Sequence, residues 1–283
     1  MKLSSLAVFA MAILTPACCT NLNAARNAEN QAQDVVDKTT ALVKYVTVAG
    51  QNSAGETIYE EVGKDDAGAM LKPYCTATWI SKDVMLTAAH CVANIGRPPI
   101  TPEQAIMHML LGAPLPPWDP TGQPMWYSVE HDVRNVGTNK YRSSRGATVL
   151  AFDDSVDLAL VKATPVEGDV DAIPEHPIAH LASHIYIGEK LQIVGHPIGM
   201  WWSYYVGTLA SIRPGLPNAD EKEVDSLQIS APVYFGNSGG GAFDENGDLV
   251  GVCSYIRKAP NMAFYINRTV AWDMMRAAGI TVP

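Results

Sequence analysis

Short apolar runs separated by turn-forming residues dominate the chain from residue 43 onward. The runs are rich in β-branched and aromatic side chains, and clusters of glycine, proline, aspartate and asparagine lie between them, which is the pattern of short β-strands. The clearest runs are VKYVTV, CTATWIS, VMLTAA, ATVLAF, LALVKA, LQIVGHP, YYVGTLASI and LVGVCSY. Many short strands joined by frequent turns predict an all-β protein built as a sandwich or a barrel.

Two segments have helical signals instead. Residues 101–112 begin with Thr-Pro-Glu-Gln, which supplies a cap residue, a first-turn proline and a third-position amide, and they end with glycine. A second helix is predicted over residues 268–278, ending at Gly279. Residues 113–126 are rich in proline and glycine and predict a surface loop. The helix and the loop together resemble an insertion over residues 98–126, to which the sequence assigns no role.

The N-terminus has the order of a secretory signal. A lysine at position 2 precedes the apolar run LAVFAMAIL of residues 6–14, and small residues follow it. Because this run is too short to stay in a bilayer as an anchor, we expect residues 1–19 to be a signal peptide. Residues 20–40 are rich in Asn, Ala and Gln and predict a polar tether or loose helix. The folded domain is expected to span residues 41–283.

Two ways of cutting the signal remain open. The sequence TPACC resembles a bacterial lipobox, in which a cysteine, Cys18 or Cys19, becomes the lipidated first residue and would anchor the chain to a membrane. Thr15 stands where such motifs usually have leucine, and plain cleavage in the following Ala/Asn-rich stretch is the alternative. Both predict an exported protein, which in a bacterium is periplasmic, secreted or an outer-membrane lipoprotein.

Composition excludes some function classes. The chain has 283 residues, of which 47% are hydrophobic and 17% charged, and this is enough for a large domain with a sizeable core. Its net charge of -9 argues against a nucleic-acid partner, which would require a basic face. Beyond the signal region only Cys75, Cys91 and Cys253 remain, so the simplest assignment is one disulfide bond and one free thiol.

Three motifs contain the residue types of nucleophilic catalysis. They are TAAHC at residues 87–91, DSVDLALVK at residues 154–162 and GNSGG at residues 236–240. A serine hydroxyl needs an imidazole to accept its proton, and the imidazole needs a carboxylate to fix its tautomer and stabilise its cation. The order His90, Asp157, Ser238 is one of the few chain orders known for that arrangement.

The choice of carboxylate has alternatives. Asp153 and Asp154 lie close to Asp157 in the sequence, and either could be the partner of His90. Only Asp157 directly precedes the alternating run of residues 158–161, so it is predicted to stand at the start of a strand.

The three motifs together resemble the trypsin/chymotrypsin-like serine endopeptidases, and most closely the bacterial HtrA/Deg-like branch. The segments LQIVGHPIG (residues 191–199) and LQISAPVYFGNSGGGAFDENGDLVGV (residues 227–252) resemble the corresponding segments of HtrA-like domains. The resemblance covers the chain from residue 43 to the C-terminus. It implies a chymotrypsin-like double six-stranded β-barrel with a C-terminal helix. It also implies chemistry without a metal or an organic cofactor, and we expect no PDZ domain after Pro283.

The resemblance implies a role for each motif residue. His90 would be the general base, Asp157 would orient it, and Ser238 would be the nucleophile that attacks a protein or peptide substrate. The backbone N–H groups of Gly236 and Ser238 would form the oxyanion hole, where one donor is typically worth about 10²–10³ in rate. The family commonly has a disulfide around its histidine loop, which implies a Cys75–Cys91 bond here.

The substrate pocket implied by the resemblance has no acidic residue at its bottom. Its expected lining residues are Pro232, Val233, Ser254, Tyr255, Ile256 and Ala263. None of them could pair with a substrate Lys or Arg, and Cys253 replaces the histidine that Glu-specific relatives have on this strand. The expected substrate therefore has a small or apolar residue before the scissile bond.

Asn237 is a departure from the zymogen-type relatives. In those proteins an aspartate precedes the serine and pairs with the new N-terminal ammonium that an activating cut creates. Asparagine has no charge for that pair, and the sequence preceding Val43 has no IVGG-type start. We therefore expect no activation step of that kind beyond removal of the signal.

Other functions remain as alternatives. A non-catalytic peptide-binding protein could have the same fold, and an esterase could use the same triad. His176, His180 and His184 are spaced by four residues, which would present three metal ligands on one helical face. However, Pro177 and the strand-like sequence that follows disfavour a helix, so no metal site is predicted.

Overall fold

Thirteen strands, three α-helices and two short 3₁₀ turns lie within the described residues. A computed structural model describes residues 16–111, 116–129, 143–164, 173, 175–217, 222–256 and 261–281. The strands are β1 (Thr39–Gln51), β2 (Thr57–Glu61), β3 (Met70–Trp79), β4 (Val84–Thr87), β5 (Pro124–Val129), β6 (Ser143–Asp153), β7 (Leu158–Ala163), β8 (Lys190–Gly195), β9 (Ser203–Pro217), β10 (Glu223–Ser230), β11 (Gly241–Phe243), β12 (Leu249–Ile256) and β13 (Ala263–Asn267). The helices are α1 (Pro16–Asp37), α2 (Pro102–Leu111) and α3 (Arg268–Ala277).

The first seven strands form one antiparallel sheet, in the order β2-β1-β3-β4-β7-β6-β5. The sheet returns on itself because β1 also pairs with β5, where Leu42 lies opposite Tyr127. Its interior is apolar, and Trp79 and Tyr127 meet edge to face there with ring centroids 5.5 Å apart. β2 is an additional strand on the edge of this ring and is exposed along its whole length.

The last six strands close into a barrel in the order β10-β13-β12-β11-β8-β9. Its core includes the fully buried side chains of Leu191, Ile193, Leu209 and Tyr265. The prediction of an all-β, chymotrypsin-like double barrel with a C-terminal helix is thus confirmed, with β2 as a seventh strand on the first ring.

Both predicted helices are present. In α2 the Thr101 hydroxyl accepts from the N–H of Gln104 at 3.2 Å, and the Gln104 side chain accepts from the N–H of Thr101 at 2.9 Å, which is a reciprocal capping box. The predicted end at Gly112 and residues 113–115 of the predicted loop lie outside the described residues. In α3 the Asn267 side chain caps the first turn, and Met275 packs into the core.

The segment predicted as a polar tether or loose helix, residues 20–40, is helical over most of its length and joins the core at its end. α1 continues to Asp37, Val35 is completely buried in the core, and β1 begins at Thr39. Lys38 is also buried, and its ammonium donates to the Gly247 carbonyl at 2.9 Å. Apolar burial and this long-range hydrogen bond make residues 35–40 part of the fold. Residues 1–15 of the predicted signal peptide lie outside the described residues.

The predicted loop of residues 113–126 is also shorter than expected. Its last three residues begin β5, in which Met125 and Tyr127 point into the core. The proline at position 124 is tolerated because it is the first residue of the strand. Within the described residues, the structure contains no helix that combines the length and the apolar character needed to span a bilayer.

Candidate active site

His90 lies on a short 3₁₀ turn, Ala89–Cys91, directly after β4. Ala89 and Cys91 are buried and fix the turn against the first barrel, whereas the His90 side chain is 48% exposed. The Cys75–Cys91 disulfide, with Cα atoms 6.1 Å apart, ties this turn to β3. Burial of its neighbours and the disulfide therefore present the imidazole at the surface on a rigid support.

Asp157 faces His90 from the turn before β7. Both of its carboxylate oxygens lie 3.0 Å from Nδ1 of His90, and Oδ1 also accepts from the His90 backbone N–H at 3.0 Å. Asp157 has a φ of 56°, a left-handed conformation that aspartate tolerates better than most residues. Ser254 on β12 donates its hydroxyl to the other oxygen, Oδ2.

The Asp157 carboxylate remains ionised in this environment. Burial opposes ionisation, but the hydrogen bonds and charge of His90 and the hydrogen bond from Ser254 outweigh it, so the pKa of Asp157 lies below its ordinary value. An ionised carboxylate can only accept, so Nδ1 of His90 must carry the proton. The basic lone pair of the neutral imidazole is therefore on Nε2, the nitrogen away from Asp157.

The alternative carboxylates have other partners. Asp153 accepts a hydrogen bond from the backbone N–H of Ser155 at 2.9 Å. Asp154 forms an ion pair with Lys222 at 2.6 Å. The geometry favours Asp157 over both neighbours as the partner of His90.

Ser238 lies in the loop between β10 and β11. Its carbonyl accepts from the N–H of Thr76 at 2.8 Å, and the N–H of Gly239 donates to the Cys253 carbonyl at 2.8 Å. Gly239 has a φ of 84°, and a Cβ there would overlap the Thr76 carbonyl, so the turn requires glycine. The loop is thus held between the first barrel, through Thr76, and the second, through Cys253.

Two carbonyls of the serine loop, those of Phe235 and Asn237, accept hydrogen bonds from backbone N–H groups. Ile198 donates its N–H to the Phe235 carbonyl at 2.6 Å, and Gly240 donates to the Asn237 carbonyl at 2.9 Å. The described chain contains no cis peptide, so each following N–H points opposite to its carbonyl. The N–H groups of Gly236 and Ser238 therefore turn away from Ile198 and Gly240. In the described part of the chain, neither N–H donates to a protein acceptor.

One cleft of 360 Å³ brings the three motif residues together. Its lining residues are His90, Asp157, Val233, Tyr234, Phe235, Ser238, Cys253, Ser254, Tyr255 and Ile256. The structure thus joins His90, Asp157 and Ser238, which come from three separate segments of the sequence, at one surface accessible to a substrate.

Four of the residues expected in the substrate pocket line this cleft, namely Val233, Ser254, Tyr255 and Ile256. The other two expected residues, Pro232 and Ala263, are not among the cleft's described lining residues. Pro232 is exposed, and Ala263 is completely buried because it is paired between Ile229 on β10 and Ile256 on β12.

Three lining residues were missed by sequence reasoning. Tyr234 and Phe235 are 58% and 78% exposed and form an aromatic wall of the cleft, and the third residue, Cys253, is buried. A signal was available, because two consecutive aromatic residues directly before the GNSGG motif are unusual for a solvated turn. Burial raises the pKa of the Cys253 thiol to about 12, so this free cysteine is a packed and unreactive group.

A metal site finds little support among the described residues. The nearest arrangement is Cys75, His90 and Cys91, whose ligand atoms lie within 4.8 Å of one another. Both sulfurs are joined in the disulfide and are therefore not available as thiolates. Of the three regularly spaced histidines, His176 stacks on Trp79 with ring centroids 3.8 Å apart, in a stretch without a helix.

The comparison with protein families gives a match over most of the described domain. The model of the trypsin-like peptidase domain matches residues 75–252. A stretch of 124 residues, 41% of this chain, is 32% identical to an HtrA-like serine protease of Staphylococcus haemolyticus and covers 19% of that protein. A stretch of 135 residues, 46% of this chain, is 32% identical to a DegP-like protein of Hahella chejuensis, named as a periplasmic serine endoprotease, and covers 27% of it. The chain thus spans less than a third of these relatives.

Solved structures show the same fold. The HtrA-type protease AlgW, determined with a decapeptide, aligns with a TM-score of 0.59 at 16% identity over 88% of this chain and 66% of that one. The structure of Deg5 aligns with a TM-score of 0.53 at 18% identity over 89% of this chain and 92% of that one. At such identities the likeness concerns the fold alone.

Proposed function

The chain belongs to the trypsin-like peptidase domain family, and we propose that it is an exported serine endopeptidase that uses His90, Asp157 and Ser238 as a triad. The observation that carries this proposal is the contact of both Asp157 oxygens with Nδ1 of His90, at 3.0 Å, beside the cleft that Ser238 lines.

The reaction follows from the proton positions. Nε2 of His90 accepts the Ser238 proton while Oγ attacks the peptide carbonyl, and the imidazolium then protonates the leaving amine. A water molecule, deprotonated by the same nitrogen, hydrolyses the acyl-enzyme. Because the pKa of Asp157 lies below its ordinary value, this carboxylate stays charged and stabilises the imidazolium in both steps.

Stabilisation of the oxyanion is assigned to backbone donors. The N–H groups of Gly236 and Ser238 would bind the oxygen that becomes negative in each tetrahedral intermediate. The supporting observation is that the Phe235 and Asn237 carbonyls are bound by Ile198 and Gly240, so the N–H group of each of these peptides points away from those donors. Such donors act without reorganising, because the loop is already held by hydrogen bonds on both sides.

The proposed substrate is a protein or peptide with a small or apolar residue before the scissile bond. An open cleft with an aromatic wall of Tyr234 and Phe235 suits an extended peptide. Among the described lining residues, Asp157 is the one carboxylate, and its oxygens are engaged by His90 and Ser254. A substrate Lys or Arg would therefore find no ionic partner there.

The proposed compartment is outside the cytoplasm. Residues 1–19 have the order of a secretory signal, with a lipid anchor on Cys18 or Cys19 as the alternative to simple cleavage. The Cys75–Cys91 disulfide supports an oxidising compartment, since such bonds rarely persist in the cytosol. Nucleic acid is not an expected partner, and membrane contact is proposed only through that anchor.

Activation is proposed to require no N-terminal cut beyond signal removal. Asn237 is 1% exposed and has no formal charge to pair with a newly made ammonium. Export alone would then yield the active form.

Labelling with a fluorophosphonate probe, followed by mapping of the modified residue by mass spectrometry, tests the proposal. Wild type should be labelled at Ser238, and the Ser238→Ala variant should neither react nor cleave casein. If wild type and Ser238→Ala are equally inactive while peptide binding persists, the chain is a binding protein. Turnover of esters without turnover of peptides would identify an esterase instead.

A further inference from the structure

The hydroxyl of Thr76 joins two groups beneath the serine loop. Its Oγ1 lies 2.8 Å from the carbonyl oxygen of Gly236 and 2.9 Å from Nδ1 of His196. Thr76 is on β3 in the first barrel, and His196 follows β8 in the second, and both side chains are completely buried. The contact therefore links both barrels to the glycine that precedes the Asn237–Ser238 pair.

The tautomer of His196 is determined by this arrangement. The threonine hydroxyl has one hydrogen, and the Gly236 carbonyl can only accept, so that hydrogen is donated to Gly236. Nδ1 of His196 must then donate to the Thr76 oxygen. The opposite tautomer, with a bare Nδ1, would take the threonine hydrogen for itself and release the Gly236 carbonyl.

A second contact from the same segment holds the preceding peptide. Ile198 donates its N–H to the Phe235 carbonyl at 2.6 Å, and Ile198 has a φ of 46°, which is an outlier for a β-branched residue. Backbone strain of this kind persists where surrounding structure holds it, and it is concentrated at functional sites. Edge-to-face packing on Trp202, with ring centroids 4.6 Å apart, fixes the His196 ring.

Both carbonyls that flank Gly236 are thus bound from outside the serine loop. Gly236 has no Cβ to restrict its backbone, and its φ of 101° belongs to a region that other residues rarely adopt. Hydrogen bonds at Phe235 and at Gly236 itself therefore decide where the N–H between them points.

We propose that Thr76 and His196 are positioning residues that hold the Gly236 peptide with its N–H directed into the cleft. The proposal rests on the function proposed above, in which this N–H binds the oxyanion. Neither side chain touches the substrate, and both act through the Gly236 backbone. Loss of the threonine hydroxyl removes a restraint on the Gly236–Asn237 peptide, so the backbone angles of Gly236 are less fixed. The Gly236 N–H, in the neighbouring Phe235–Gly236 peptide, is then held less firmly toward the cleft.

Three threonine variants separate this role from ordinary burial. Thr76→Val removes the hydroxyl at nearly constant shape, and Thr76→Ser keeps it. Thr40→Val is the matched control, because Thr40 is also buried and donates to the Ser128 carbonyl at 2.8 Å, within the first barrel. Thermal unfolding measures the stability cost of each variant.

The first readout is the rate of fluorophosphonate labelling at Ser238, together with kcat and KM on one peptide substrate. We expect Thr76→Val to lower the labelling rate and kcat on the order of 10²-fold, as small misplacements of catalytic groups do, with KM little changed. Thr76→Ser should restore most of the rate, and Thr40→Val should remain near wild type. Equal rates in Thr76→Val and Thr40→Val would overturn the proposal.

The second readout does not depend on activity. The dipeptide Phe-Gly occurs once in the chain, at residues 235–236, so labelling with ¹³C′-phenylalanine and ¹⁵N-glycine gives one cross-peak, that of the Gly236 N–H. This peak should shift or broaden in Thr76→Val and stay in place in Thr40→Val. If wild type is not labelled by the fluorophosphonate, the proposed function fails, and this peak alone decides whether the positioning contact exists.

Two histidine variants test the tautomer. His196→Asn can still donate an amide N–H to Thr76, whereas His196→Leu cannot. We expect the asparagine variant to keep the wild-type position of the Gly236 peak and most of kcat, and the leucine variant to lose both. A leucine variant with an unchanged peak and unchanged kcat would show that His196 has no positioning role.

Discussion

Ser254 donates its hydroxyl to Oδ2 of Asp157, so a strand of the second barrel holds the carboxylate that orients a histidine of the first. The two residues are far apart in the sequence, and both are buried at the junction of the barrels. With the contacts from His90, this bond fixes the plane of the carboxylate. The geometry of the candidate triad therefore depends on how the two barrels are assembled.

Removal of this bond has a pH-dependent cost. The pKa of Asp157 is lowered in the folded protein, so its stabilisation is complete above the ordinary value of about 3.9 and is lost as the pH falls through the folded value. In Ser254→Ala the folded pKa should rise, because one hydrogen bond to the charged form is lost. We expect the free energy of unfolding at pH 7 to fall by about 1.5–3 kcal/mol, and the difference from wild type to shrink as the pH falls through the lowered pKa of folded Asp157.

Denaturant titrations at several pH values measure this effect, with Ser226→Ala as the control. Ser226 is also completely buried, but its hydroxyl donates to the neutral carbonyl of Val224 at 3.2 Å. Loss of the Ser226 hydroxyl should lower the free energy of unfolding by the same amount at every pH. A pH-independent loss in Ser254→Ala would show that the bond to Asp157 contributes nothing to its ionisation.

The Cys75–Cys91 disulfide should contribute to stability through the unfolded chain. The cysteines are separated by 16 residues, and a loop of this size is worth about 3 kcal/mol in the chain-entropy model. The double variant Cys75→Ser/Cys91→Ser should have a free energy of unfolding lower by about that amount, and its guanidinium unfolding midpoint should fall accordingly. Dithiothreitol should bring wild type to the same midpoint and leave the variant unchanged. A midpoint insensitive to both would mean that the bond is not formed in the protein.

Local sequence signals were sufficient for much of the fold and for the candidate triad. Neighbouring residues are enough to indicate the strand runs and the capping box at Thr101. The order of His90, Asp157 and Ser238 is recognised by resemblance. β2 was missed because all five of its residues are exposed, so it lacks the apolar alternation that indicates a strand. The last turn of α1 lies in the segment predicted as a tether or loose helix because residues 20–40 are polar overall, and only its contacts show that Val35 belongs to the core.

The missed parts of the site are contacts between distant segments. Thr76 and Gly236 meet across 160 residues, and Asp157 and Ser254 across 97. No spacing in the sequence indicates such a pair, since register and closure of two barrels decide it. Ala263 was expected in the pocket by resemblance, and the structure places it in the core of the second barrel, where β13 is paired with β10 and β12.

Cleavage preference should reflect the uncharged pocket. Val233, Ser254, Tyr255 and Ile256 line the cleft without offering a free carboxylate or a cation. A peptide library should therefore be cut after small or apolar residues, with the same library and Ser238→Ala as the background control. A profile dominated by Arg, Lys or Glu would contradict the proposed specificity.

Asn237 provides a test of the activation mode. Its side chain is 1% exposed, and neither amide atom has a hydrogen-bond partner among the described residues. It packs tightly against Gly195, where a Cβ would overlap Oδ1. Asn237→Asp should therefore bury a carboxylate without a cation, which typically costs several kcal/mol and raises the pKa of the buried group.

The matched control is Asn261→Asp, because Asn261 is exposed and its φ of 56° is one that aspartate tolerates. We expect a clear fall in the melting temperature of Asn237→Asp at pH 7, smaller at acidic pH where the carboxyl is neutral, and little change in Asn261→Asp. Wild type should react with the fluorophosphonate as soon as the signal is removed, whatever its N-terminal residue. If labelling of wild type appears only after trimming to one particular N-terminus, activation by a paired ammonium is the better account and the uncharged Asn237 does not exclude it.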